Sequence, residues 1–373
     1  MSVSYPDGPT DFENRIVDHF AYRYPYTTFV NPAGNIGYCA DNMNWLCYNA
    51  INVGNVRHEN QTHYVMMGLN TPCLRNPPIG GDPFTVARNP LSLRGHRIPF
   101  AVNCSTACAM TNYFRSDREL PHVVSPGYHA FDACGYTTNC LQLINAGAAH
   151  GTSLSAPIAN GIAACILSMR NWVLKPWPEA TRAVLILTAQ NVYGTYWRPD
   201  VDGIDGNGVI SGTDAVNFMQ NALIAFQPNT VACSTAVISG TINENPNGPA
   251  YWCIPFQVKI PSVKPAGKHL RVLLTWDSSP TISQLVFSNE LADLDLYIPG
   301  YPNPYTNNQN WGSWESNVEV ADIASSRLTP GSTVSPNIWV WKFSVPSTAY
   351  NRASGVGFIH YSIAWGWVKD HAI

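Results

Sequence analysis

The run Gly151-Thr152-Ser153-Leu154-Ser155-Ala156-Pro157 constrains this chain more than any other stretch. A turn of small residues there meets the start of an apolar helical segment, so the first backbone N–H groups of that helix lack intrahelical partners. A hydroxyl at Ser153 would stand beside those donors, where negative charge is stabilised. Behind it, Leu154, Ile158, Ile162, Ile166 and Met169 recur at helical spacing, which predicts a helix with one stripe turned to a core. Read blandly, the same run is a Ser/Thr-rich helix cap with no chemistry.

A length of 373 residues fits two domains better than one or three. Hydrophobic residues make up 45% of the chain and charged residues only 12%, enough to build sizeable cores. With a net charge of −3, nothing in the composition recruits nucleic acid or an anionic membrane. By eye, no apolar run is long enough to span a bilayer. The 29 Pro, 27 Gly and 12 Trp describe a loop-rich, aromatic chain of extracellular character.

The ten cysteines form no zinc-type Cys-x-x-Cys pair. They fall instead into neighbouring pairs, and disulfides are expected at Cys39 with Cys47, Cys104 with Cys108, Cys134 with Cys140, and Cys233 with Cys253. Cys73 is left unassigned, and Cys165 is expected to be buried on the helix behind Ser153. Asn60-Gln-Thr and Asn103-Cys-Ser are glycosylation sequons that point, with the cystines, to a secreted protein. The polar N-terminus carries no secretion signal, so an upstream segment is expected.

Residues 10 to 22 read as an amphipathic helix capped by Thr10 or Asp11, with Ile16, Val17, Phe20 and Ala21 inward. Tyr26 to Val30 reads as a buried strand running into Asn31-Pro-Ala-Gly-Asn-Ile-Gly37. A second helix is predicted over Trp177 to Ala189, with Pro178 in its first turn. From about residue 230 the texture becomes short strands between Pro, Gly and Asn turns, which predicts an antiparallel sandwich. The Asp200-Val-Asp-Gly-Ile-Asp-Gly-Asn207 turn could hold calcium through Asp200, Asp202 and Asp205, or be a plain Gly/Asp turn, since Ile204 breaks the EF-hand pattern. Asp293 and Asp295 share one face of a strand, suited to a structural calcium or to a salt-bridged surface. Trp311 and Trp314 suit a sugar-stacking platform, though loop tryptophans usually pack on their own domain.

Gly-Thr-Ser-x-Ser-Ala-Pro resembles the nucleophile motif of the subtilisin-like serine proteases, the subtilases. Further segments resemble the same family in the same order: Asn31 to Gly37, Asn49 to Gly54, His122-Val-Val-Ser-Pro-Gly127, Thr188 to Val192 and Gly208 to Ala215. The resemblance implies that Ser153 is the nucleophile and that the Asn35 amide donates to the oxyanion. It also implies that Pro32, Ala33 and Gly34 line the pocket for the residue before the scissile bond. Leu270 to Asp277, Asp293 to Tyr297 and Ser316 to Glu319 resemble the jelly-roll domain that follows the catalytic domain in some subtilases. The expected architecture is therefore an α/β domain over residues 1–225, with a partial parallel sheet and flanking helices. An all-β jelly-roll sandwich follows over residues 230–373.

Serine acyl transfer needs a base near Oγ, a carboxylate orienting that base, and an oxyanion hole. In subtilases the Asp and His motifs precede the oxyanion Asn by a long stretch, but only 34 residues precede Asn35 here and neither motif occurs among them. His150 lies three residues before Ser153 on the same turn, badly placed to take its proton. His19 reads as a surface or packing residue of the first helix, and His58, His63, His96, His122 and His129 lie in turns or insertions with no family match. A site without its base retains only the oxyanion hole and binding, roughly 10³–10⁴ over water in the worked triad case.

Three readings follow. One is a secreted endopeptidase acting on proteins or peptides, completed by an upstream fragment and needing no cofactor beyond a structural calcium. Another is a non-catalytic descendant that assembles with partner chains, identical ones included. The third is an esterase using the same serine.

Overall fold

The structure is a computed structural model. It describes residues 11–24, 26–33, 47–60, 63–66, 98–99, 113–114, 122–127, 152–174, 177–190, 207–227, 231–243, 251–277, 292, 294–303, 309, 311, 316–341 and 358–369. Chain order runs α1 (Asp11–Arg23), β1 (Phe29–Pro32), β2 (Ala50–Asn60), β3 (His63–Met66), β4 (Ile98–Pro99), β5 (Tyr113–Phe114) and β6 (Val123–Pro126). Three helices and a strand follow: α2 (Thr152–Leu174), α3 (Pro178–Leu187), α4 (Gly212–Asn221) and β7 (Leu223–Phe226). Apart from one 3-10 turn at Ser325–Arg327, the described elements that remain are strands: β8 (Ala236–Asn243), β9 (Tyr251–Pro255), β10 (Val258–Lys259), β11 (Lys268–Trp276), β12 (Leu294–Tyr297), β13 (Val318–Ile323), β14 (Thr333–Val334), β15 (Asn337–Trp341) and β16 (Phe358–Lys369).

The first half is built on a parallel core. β2 lies between β1 and β6 and runs parallel to both, with Asn31 opposite Asn52 and Val53 opposite Val123. β3 folds back antiparallel on β2, with Asn60 opposite His63 at the turn. Among the described strands, β1 pairs on one side only. α1 is tied to the start of β2 by Asp18, whose carboxylate accepts from the backbone N–H groups of Tyr48 at 2.9 Å and Asn49 at 2.7 Å. Val17 and Ala21 of α1 pack with Phe29, Cys47 and Ala50, as amphipathic spacing requires, while Phe20 is exposed.

α2 lies on this sheet, but not by its large residues. Ala156, Ala159, Ala163 and Ile166 face Val30, Ile51, Val53 and Val123, while Leu154, Ile162 and Met169 lie half-buried on the flank and Ile158 is exposed. Helical spacing alone admits either stripe. The alanines win because their short side chains let the helix backbone approach the sheet closely, at packing density that larger residues would prevent. By length and composition the segment Thr152–Met169 also suffices to cross a membrane, with mean hydropathy 1.3, a property that reading the apolar runs by eye overlooks.

The second half holds two antiparallel sheets and a short β10–β14 pair around one core. The larger is ordered β13-β11-β16-β8-β7, with β7 joining parallel to β8, and the smaller β12-β15-β9. Alternation along β11 decides which side chains meet. Leu270, Val272, Leu274 and Trp276 point to the smaller sheet, while Leu273 points the other way into the core of α2 and α3. The larger sheet is thus covered on both faces, by the smaller sheet and by α3. That is why all ten residues of α3 are buried, Glu179, Thr181 and Arg182 included. Trp311 packs in the core between the sheets and donates its indole N–H to the Tyr301 carbonyl at 3.0 Å; Trp314 lies outside the described residues.

The cysteine expectations need correction. Cys233 and Cys253 are free thiols rather than a disulfide. Cys253 alternates with Trp252 and Ile254, which pack on the core, so its side chain points outward, whereas Cys233 packs against that core. Nearness in sequence does not bring opposite faces together. Cys165 is exposed rather than buried, because it rides on the face of α2 turned away from the alanines. Cys47 is buried and its sulfur accepts from the Asn31 amide at 3.4 Å. Its expected partner Cys39 lies outside the described residues, as do Cys73, Cys104, Cys108, Cys134 and Cys140.

Candidate active site

Ser153 is the second residue of α2 and is exposed, one step after the buried Thr152. Its position follows from the packing just described. Buried Ser155, Ala156 and Ala159 lock the first turns of the helix to the sheet and leave the intervening face at position 153 outward. A hydroxyl there sits at a helix start, where the macrodipole presents its positive end. α2 packs against β1, β2 and β6 alike. β1 ends at Pro32, and Ala33 continues the strand line by donating its N–H to the Val53 carbonyl at 2.8 Å. Pro32 and Ala33 are both buried. Gly34 and Asn35 lie outside the described residues, as do Gly151 and His150.

The described histidines have other employment. His122 is buried, and its Nδ1 accepts from the backbone N–H of Asn52 at 3.0 Å. A neutral imidazole that accepts at Nδ1 carries its proton on Nε2, which leaves no lone pair for a serine proton. The same residue ties β2 to the loop before α4, since its carbonyl receives both the backbone N–H of Asn207 at 3.0 Å and that residue's side-chain amide at 2.9 Å. His19 stands edge-on to Phe20 on α1. His269 meets Asp322 at 3.1 Å, deep between β11 and β13. Strands β2 and β3 carry His58 and His63, whose side chains are not described; His96 and His129 lie outside the described residues.

A second imidazole stands beside two carboxylates, and sequence reading passed over it. His360 on β16, Asp277 just past β11 and Glu179 at the start of α3 bring their candidate donor atoms within 4.8 Å of one another. His360 donates its backbone N–H to Asp277 Oδ1 at 2.9 Å, and its Nδ1 lies 3.9 Å from Asp277 Oδ2. This group is not the missing partner of Ser153. It sits at the first turn of α3, beyond the far end of α2, whose 23 residues span about 35 Å at 1.5 Å per residue.

Burial pushes Glu179 up to about 7, with Arg182 pulling weakly the other way. Burial and then the Glu179 charge push Asp277 well above the carboxylate range. Desolvation lowers His360 to about 4. No local signal marks these three residues, because strand pairing and helix packing assemble them from distant parts of the chain.

Of the calcium candidates, Asp295 is buried on β12 opposite Trp339. Asp200, Asp202, Asp205 and Asp293 lie outside the described residues. Asn60 pairs with His63 at the end of β2, and Asn103 lies outside the described residues.

Known proteins add to this picture. No curated protein matches the chain. Among solved structures, the patellamide maturation protease PatA overlaps 58% of this chain and 59% of its own, at 15% identity and a TM-score of 0.32. The chain therefore spans less than two thirds of that structure, and activity has to be argued from its own residues. The model of the subtilase family, peptidase S8, matches residues 1–212, more than half of the chain, and the chain belongs to that family.

Proposed function

We propose that this chain is a secreted subtilisin-like serine endopeptidase acting on protein or peptide substrates, with Ser153 as nucleophile and Asn35 as oxyanion donor. Family membership makes it a serine protease by descent. The observation that carries the proposal is the exposed hydroxyl at the start of α2, on a helix packed against the strand that leads into residue 35. In the reaction a general base takes the Ser153 proton as Oγ attacks the scissile carbonyl, and the oxyanion takes a hydrogen bond from the Asn35 amide. The base passes that proton to the departing amine to leave an acyl-enzyme, and water then hydrolyses the acyl ester. Pro32, Ala33 and Gly34 line the pocket before the scissile bond. No metal or cofactor takes part; a calcium ion at Asp293 and Asp295, or in the Asp200–Asp205 turn, would be structural.

The base and its carboxylate come from a polypeptide segment outside this chain. Two features support that reading. The outer face of α2, with Pro157, Ile158, Gly161, Ala164 and Cys165, is exposed, and β1 has one open edge among the described strands. Such a face and edge together suit a further helix and strand. The two antiparallel sheets are read as the jelly-roll module that follows some subtilase domains, over residues 230–373.

A fluorophosphonate probe tests the proposal. Labelling at Ser153 is expected when the chain is combined with a polypeptide carrying the subtilase Asp and His motifs, weak labelling when it is alone, and none in Ser153→Ala. Absence of label in both preparations, with a stable oligomer on size exclusion and casein left intact, would instead establish a non-catalytic assembly protein. The engaged ring of His122 is the observation favouring that second reading.

A further inference from the structure

We propose that Glu179, Asp277 and His360 form a binding site for a divalent transition-metal ion of the zinc type, which clamps the start of α3 to the larger antiparallel sheet. The three donors come from three elements, and all lie within 4.8 Å of one another. Glu179 and Asp277 are each only 6% exposed, and Glu179 Oε2 has no hydrogen-bond partner. A carboxylate oxygen buried without a hydrogen-bond donor is costly, and a cation at the centre of the cluster would satisfy it.

Asp277 is already aimed. Its Oδ1 accepts from the His360 backbone, and its own N–H donates to the His360 carbonyl at 3.0 Å, leaving Oδ2 for the site. Trp177 packs its ring against the His360 imidazole, centroids 4.8 Å apart, which fixes that ring's orientation.

The donor set chooses the ion. Two carboxylate oxygens with one imidazole nitrogen suit zinc, cobalt or manganese, whereas calcium prefers six to eight oxygens and magnesium keeps its waters. Zinc–ligand bonds of about 2.0–2.2 Å in tetrahedral array put neighbouring donors about 3.4 Å apart. The cluster therefore needs to contract by roughly 1 Å, within side-chain rotation. Arg182 stays beside the site with its guanidinium directed at the backbone carbonyls of Tyr48 and Trp276, so it neutralises part of the carboxylate charge without occupying the centre. His360 is 17% exposed on its side chain, which gives the ion a route in. Its depressed proton affinity keeps the imidazole in the neutral, ligating form at neutral pH.

The test uses the full chain, stripped with a chelator and titrated with cobalt(II), then zinc. One ion per chain is expected, with the visible bands of nitrogen and oxygen ligation and no thiolate charge-transfer band. A rise in melting temperature on adding zinc is also expected. Glu179→Gln and His360→Ala should each lose both signals. Glu179→Gln should melt at or above metal-free wild type at pH 8, because it removes a buried charge, and this serves as the control for folding. No stoichiometric binding, a thiolate band placing the ion on cysteines, or binding retained in both variants would overturn the site.

Discussion

The two ends of α3 are held to the same sheet, in the same depth of burial, by opposite electrostatics. At the C-terminal end, Arg271 of β11 stands directly across from Asp322 of β13 and meets it with two nitrogens, at 2.7 and 2.9 Å. The third nitrogen donates to the carbonyls of Ile186, Ala189 and Asn207 at 3.1–3.2 Å, capping the helix where its dipole is negative. Burial alone would raise Asp322, but the Arg271 charge, seconded by His269, holds it far below the carboxylate range. At the N-terminal end, Glu179 and Asp277 face each other with Arg182 turned to carbonyls, and both are pushed up. Burial is common to both ends. What separates them is whether the counter-charge also hydrogen-bonds the carboxylate, as Arg271 does Asp322, or turns to backbone carbonyls, as Arg182 does, so one end is finished and the other is not.

Breaking the finished end should have the largest effect. Arg271→Met leaves the Asp322 carboxylate buried without its main partner and strips a donor from three carbonyls, for an expected loss of about 3–5 kcal/mol. Urea unfolding at pH 7 measures it. Adding Asp322→Asn to that variant should recover part of the loss, because the orphaned charge is then gone. A loss under about 1 kcal/mol in Arg271→Met would mean the pair does not organise this junction.

The unfinished end should reveal itself through pH. A carboxyl raised to about 7 in the folded state binds more protons folded than unfolded between its ordinary value and 7, so stability contributed by Glu179 falls as pH rises through that window. His360, lowered to about 4, acts in the opposite sense: the unfolded chain binds the extra proton, and stability rises as pH goes from about 4 to 6.5. Subtracting Glu179→Gln from wild type in the presence of chelator isolates the carboxyl. The variant should gain on wild type by a few kcal/mol between pH 4.5 and 7.5. Asp322 supplies the contrast, since its contribution is complete above about pH 4 and is lost only as pH falls further. A pH-independent difference between wild type and Glu179→Gln would erase the distinction between the two ends.

How much of this could be read from the chain depends on range. The start of α2 was legible because its turn and apolar run are local, and α3 because Trp177-Pro178 opens a helix and an apolar run follows. The orientation of α2 was not, because its alanine and isoleucine stripes fit the helical period equally well and only the sheet beneath chooses. Arg271 and Asp322 look like ordinary alternating strand residues until the β11–β13 register sets them opposite each other. Cys233 and Cys253 misled for the converse reason, since sequence distance says nothing about which face of a strand a side chain takes. Glu179, Asp277 and His360 carried no signal at all. Each is unremarkable in its own segment, and only the packing of α3 across β11 and β16 gives them a common centre.

The smallest effect sharpens the comparison by removing a neutral contact at the unfinished end. Thr275 Oγ1 donates to the Glu179 carbonyl at 3.0 Å, and both are buried. Thr275→Val keeps the shape and deletes the donor. Because that carbonyl still receives its helical N–H, the cost should be about 1 kcal/mol rather than that of an orphaned group. A neutral bond has no titrating partner, so the loss should be equal at pH 5 and pH 8, unlike that of Glu179→Gln. Were the Thr275→Val loss to grow with pH, the hydroxyl would be supporting the ionised Glu179 itself, and the strain assigned to an unmatched charge would have to be shared with the backbone around it.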